Sequence, residues 1–130
     1  MRIRFLDANE IAHVREAINS DPEFRLASKF FSKDLLLVVG GSKCIVKVRD
    51  GVITEINLNP TFMNPWNFFI KGSTEAWKKF LQPLPPPFFS DLSGAVARQN
   101  FELGGDMEAV FAHFWAVTRV LDVLRELQNQ

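Results

Sequence analysis

The residues best equipped for chemistry are few and scattered. The chain of 130 residues has one cysteine, two histidines and no tyrosine. His13 and His113 stand without an H-x-x-x-H or H-x-x-E neighbour, so no metal site and no cofactor is expected. By helical phase His113 falls on an exposed flank and reads as a solvated histidine. Cys44 lies on the apolar side of an alternating segment with no adjacent group to make it a thiolate, and reads as a buried, inert thiol. There is no G-x-S-x-G, no P-loop and no dinucleotide fingerprint. Without a visible acid–base pair the chain is expected not to be an enzyme. What it has in excess is apolar bulk: thirteen Phe and three Trp. Phe carries no polar handle, so such residues either fill a core or wall an apolar cavity.

The densest run of this kind follows Phe101-Glu102-Leu103-Gly104-Gly105-Asp106-Met107. Phe101 to Leu103 alternates like the end of a strand. Gly104-Gly105 predicts a sharp turn, and Asp106 predicts an N-cap. From Met107 to Leu127 no Gly or Pro occurs, so the spacing predicts one unbroken helix. Its broad face carries Met107, Val110, Phe111, Phe114, Val117, Thr118, Leu121 and Leu124, with Trp115 at the edge. Ala109, Ala112 and Ala116 lie nearly opposite, where a neighbour can approach closely. The first half is expected to be covered on most sides. Whether the aromatic face is core or cavity wall is left open by the helix alone.

The elements needed to position that helix can be read upstream. Asp7 or Asn9 caps a first helix reaching about Asn19, with Ile11, Val14 and Ile18 on one face. Ser20 and Glu23 have capping-box spacing for a second, which buries Phe24, Ala27, Phe30 and Phe31. The period then changes. Leu35 to Val39, Lys43 to Arg49 and Val52 to Leu58 form an antiparallel meander, with Asp50-Gly51 as a two-residue hairpin turn. One face of the meander is apolar and the other largely solvated. Residues 59–67 are irregular. Phe68 to Gly72 is a fourth strand, and Ser73 or Thr74 caps a helix carrying Trp77, Phe80 and Leu81. Pro83 to Pro87 is a stiff connector. A short helix within Phe88 to Arg98 and a last strand, Gln99 to Leu103, lead back to the turn.

Size and charge bound the rest. The length fits a single domain over residues 1–130, able to bury roughly two-thirds of its unfolded surface. Lys plus Arg and Asp plus Glu are both 15, which argues against nucleic-acid binding. Met1 to Asp7 offers no signal-peptide core, and no segment approaches the roughly 20 apolar residues of a membrane span, so a cytoplasmic location is expected. From Lys29 to Arg49 there are five basic residues and one acid, a patch that suits either transient contact with a membrane surface or the wet face of a sheet.

The order of these elements resembles the sterol carrier protein type 2 (SCP-2) domain family. The resemblance rests on "VRDG" at the hairpin, the strand from Phe69 into the helix "STEAWKKFL", and "FELGGD" before the last helix. It covers residues 24–128. It implies an α+β fold, a five-stranded, mostly antiparallel sheet with helices packed on one face around an apolar cavity. It also implies a non-catalytic role, the carrying of a fatty-acyl or sterol-like molecule in an internal tunnel, with a subunit that presents substrate to an enzyme as the alternative. A homodimer or an enzyme partner is compatible with either. On this reading the ligand is lined by Trp66, Trp77, Phe80, Phe88, Phe89, Met107, Phe111, Phe114 and Trp115.

Overall fold

A computed structural model describes residues 2–130; Met1 lies outside them. Three strands follow the sequence pattern closely: β1 (Asp34–Val39), β2 (Ser42–Arg49) and β3 (Val52–Asn57). Asp50 and Gly51 both have positive φ, 51° and 77°, the type I′ geometry that matches strand twist. With β4 (Phe68–Gly72) and β5 (Phe101–Gly105) they form one sheet in the order β3-β2-β1-β4-β5. Every neighbouring pair is antiparallel except β1 with β4, which is parallel with Leu37 opposite Ile70. The predicted α+β class and mostly antiparallel five-stranded sheet are therefore present.

The helices are α1 (Ile11–Ser20), α2 (Pro22–Ala27), α3 (Thr74–Phe80), α4 (Leu92–Ala97), α5 (Met107–Ala112) and α6 (Phe114–Gln128). They bury their apolar sides against one sheet face, where Leu35, Leu37, Val39, Cys44, Val46, Val48, Phe68 and Ile70 point inward. Asp21, Ser73, Asp91 and Asp106 each accept a hydrogen bond from the backbone N–H three residues on, at the start of α2, α3, α4 and α5. Asn19 closes the outer edge of β3 from the end of α1. Its Nδ2 donates to the Ile53 carbonyl at 3.0 Å, and its Oδ1 accepts from the Ile53 N–H at 2.8 Å. A free strand edge is thereby partly satisfied.

Five expectations need correction. Asp21, not Ser20, caps α2; the Ser20 hydroxyl instead donates back to the Glu16 carbonyl. α2 ends at Ala27, so Phe30 is exposed while Phe31 turns inward. Gly104 and Gly105 belong to β5 rather than to a turn, paired with Phe69 and Phe68. The Phe69 ring lies across Gly104, so closely that a Cβ there would meet its Cζ at 2.6 Å. The long helix is broken at His113 (φ −119°, ψ 24°) into α5 and α6, although neither Gly nor Pro is present. There the His113 ring stacks on Phe31, with centroids 4.7 Å apart. The alanine side, Ala109 and Ala116, is the side buried in the core, whereas Phe111 and Trp115 are 71% and 76% exposed.

The far face of the sheet is less solvated than the meander predicts. Leu36, Val38 and Ile45 form a second small apolar cluster there with Phe69. β3 ends beside Ile45, and β4 begins beside Leu35. Residues 58–67 bridge these two points, and Pro60, Phe62 and Trp66 border Leu36 and Ile45 on that face.

Candidate functional site

A groove of about 500 Å3 lies between α2 and the α5–α6 break. Glu23, Leu26 and Ala27 supply one wall, and Ala112, His113, Trp115, Thr118, Arg119 and Asp122 supply the other. Leu26 lies on the outer side of α2 and Trp115 on the outer side of α6, and both are exposed. The small side chains of Ala27 and Ala112 leave room between them.

One ion pair fixes the two walls. Arg119 donates from Nε and Nη2 to the two Asp21 carboxylate oxygens, both at 2.8 Å. Both side chains are mostly shielded, a setting in which a two-point guanidinium–carboxylate pair is strong and directional. The pair, together with the Phe24 N–H, holds the Asp21 carboxyl below its usual value and raises Arg119 further. Desolvation acts the other way on Asp122 and His113. It raises Asp122, against the opposing pull of Arg125 and Arg119. It lowers His113, with help from the positive charge of Lys33. The groove thus favours a neutral imidazole. Thr118 adds a buried Oγ1 with no hydrogen-bond partner. An unpaired buried hydroxyl is costly unless something else satisfies it.

The nine residues expected to line a ligand do not converge on one space. Trp77, Phe80 and Phe89 are buried in the core. Trp77 lies 4.8 Å from Phe101, 5.6 Å from Phe5 and 6.1 Å from Phe80, centroid to centroid, and its Nε1 donates to the Val38 carbonyl at 2.9 Å. Phe88 is half-exposed at φ +68°, with the Arg98 guanidinium 3.9 Å from its ring centre. Met107 and Phe114 are partly buried against the core. Trp66 is on the far face of the sheet, edge-on to Phe69 at 5.6 Å. Phe111 and Trp115 face outward, and Trp115 alone of the nine borders the α2–α6 groove. The other eight groove residues, Leu26, Ala27, His113 and Thr118 among them, are not anticipated by the sequence. Thr118 carried a faint signal, a lone hydroxyl on an otherwise apolar helix face.

Cys44 is fully buried, and burial pushes its thiol up to about 12, as an inert core thiol requires. His113 is half-buried, not solvated. The basic run also differs from a free patch: Arg49 pairs with Asp34 at 2.7 Å, Lys47 with Glu55 at 3.6 Å and Lys33 with Asp106 at 3.8 Å. Among the described residues, no group of three or more His, Cys, Asp or Glu is placed to hold a metal ion, and no helix is long and apolar enough to cross a membrane.

No family model matches the sequence, and no curated protein matches it at a significant level. In three dimensions the chain is similar to sterol carrier protein 2, with a TM-score of 0.75 at 16% identity, over 93% of this chain and 97% of that one. A conserved hypothetical protein of Thermus thermophilus matches at 0.70 and 17% identity, over 96% and 90% of the two chains. The ubiquinone synthesis protein UbiJ-SCP2 matches at 0.59 and 13%, over 90% and 93%. The likeness runs over nearly the whole length, and the chain has the SCP-2 fold.

Proposed function

We propose that this protein binds an apolar or amphipathic small molecule with a fatty-acyl or sterol-like body, without catalysing its conversion. The binding place is the α2–α6 groove, with Trp115 as its aromatic wall. The carrying observation is that a Trp side chain stands 76% exposed beside an apolar concavity of about 500 Å3. Large apolar side chains held in water at the edge of a hollow mark a surface that gains by being covered. The SCP-2 fold supports the same ligand class.

A second reading, a subunit that presents such a molecule to an enzyme, is favoured by one comparison: a protein named for ubiquinone synthesis has this fold. Native mass spectrometry of freshly purified protein, followed by solvent extraction, separates the two. A co-purified lipid supports the carrier, and a co-purified protein the presenting subunit. The groove itself is tested by titrating a fluorescent fatty acid. Trp115→Ala is expected to weaken binding several-fold while Tm stays close to wild type, because an exposed side chain contributes little to stability. Wild-type protein that binds no apolar probe would refute the carrier reading.

A further inference from the structure

On the sheet face opposite the helices, a second surface is built for a different contact. From Ile56 to Ile70 the chain contains no Asp, Glu, Lys or Arg. Within this stretch Phe62 is 97% and Met63 75% exposed, and Trp66 is half-exposed behind them. The crest that carries Phe62 and Met63 is braced from within. The Asn64 N–H donates to the Thr61 carbonyl at 3.0 Å, the Thr61 N–H donates to the Asn64 Oδ1 at 2.8 Å, and the Met63 N–H donates to the Thr61 hydroxyl at 3.3 Å. Its exit is fixed to the sheet. The Asn67 N–H donates to the Asp34 carbonyl, the Asn67 Oδ1 accepts from the Asp34 N–H, and the Asn67 carbonyl accepts from the Asp106 N–H. The Trp66 ring is pinned between Phe69 and Gly105. Two large apolar side chains are therefore held out in water by a rigid turn.

We infer that this crest docks the protein on a lipid bilayer, with Phe62 and Met63 entering the acyl boundary and Trp66 lying at headgroup level. Three observations select a bilayer over a protein partner. The crest is a two-residue convex tip, far short of the roughly 800 Å2 that each side of a stable protein interface buries. Its sequence neighbours are uncharged Asn, Thr and Pro, so the tip itself carries no charge into the acyl boundary. Trp is the side chain favoured at the membrane–water boundary, apolar on its body and polar at its N–H. Lys43 borders the hollow beneath the crest together with Asn64 and Trp66, where its ammonium can meet lipid phosphate. This surface is separate from the α2–α6 groove and does not depend on it. A carrier must meet membranes, yet a protein that docks here need not bind any soluble ligand.

The test is flotation of the full chain with phosphatidylcholine vesicles, with and without phosphatidylglycerol. Wild-type protein is expected to float with both. The Phe62→Ser/Met63→Ser double variant is expected to lose partitioning about tenfold or more, with unchanged circular dichroism, since both side chains are exposed. Phe30→Ser, which removes another exposed Phe, in the loop after α2, should float like wild type. In a Trp115→Phe background, vesicles should shift the remaining Trp emission to the blue. Wild-type protein that stays in solution, or a double variant that floats as well as wild type, overturns the proposal. Fatty-acid titration without vesicles reads the groove independently.

Discussion

A methyl group added at Gly51 would sit 2.5 Å from the Ser28 carbonyl oxygen, in a backbone already at φ +77°. Two constraints coincide there. The type I′ turn needs a left-handed conformation, and the loop after α2 closes down on the turn, with the Gly51 N–H donating to the Phe31 carbonyl and the Ser28 hydroxyl to the Gly51 carbonyl. The first constraint is legible in the dipeptide Asp50-Gly51. The second is not, because it joins segments distant in sequence. Gly51→Val is expected to lose about 1–3 kcal/mol from backbone strain, and more if the Ser28 loop cannot retreat. Urea unfolding measures the loss, and an unchanged midpoint would remove the turn assignment. Single residues were legible in this way wherever a local rule decides them. Asp106 as a cap and Cys44 as a buried thiol are further examples. Phe111 was not, because its exposure depends on what packs beside it.

At the scale of elements, the break between α5 and α6 falls at the wall of the candidate site. Nothing in Met107 to Leu127 announces it. The periodicity is that of one helix, and a helix interrupted without Gly or Pro is a tertiary event. The His113 ring lies flat on Phe31, and Phe31 is positioned by the loop that also grips the hairpin. Since burial holds the folded imidazole below its ordinary value of 6.5, protonation opposes this packing. The unfolded chain takes up the proton first as pH falls. Stability is therefore complete above pH 6.5, declines as pH drops through that value, and levels off below the folded one. Wild-type Tm is expected to fall between about pH 7.5 and 5.5. His113→Phe, which keeps a flat ring on Phe31 without a titrating group, should fall less over the same interval. Parallel profiles would show that the stack is not coupled to protonation. Asp21, held low by Arg119, titrates further into acid and does not contribute to this window.

For the whole molecule, the element order and the capping residues were enough to suggest the architecture, since hairpin, strand and cap each have a local signature. The parallel pairing of β1 with β4 has none. It requires residues 58–67 to cross β2 and β1 from β3 to β4, and only the assembled sheet shows that they do so over the face without helices. That division gives the molecule two unlike surfaces, a grooved helical side and an uncharged crest opposite. Between them lies the single thiol. Cys44 faces inward from β2, opposite Leu37, and has no exposed surface. A thiol reagent can reach it only when the sheet opens, so its alkylation rate is a clock for native-state opening. Any molecule that binds the closed protein must slow that clock by the factor 1 + [L]/Kd. Lipid extracts can therefore be screened on unlabelled protein by mass spectrometry. The ligand is the fraction that protects Cys44, in proportion to its concentration.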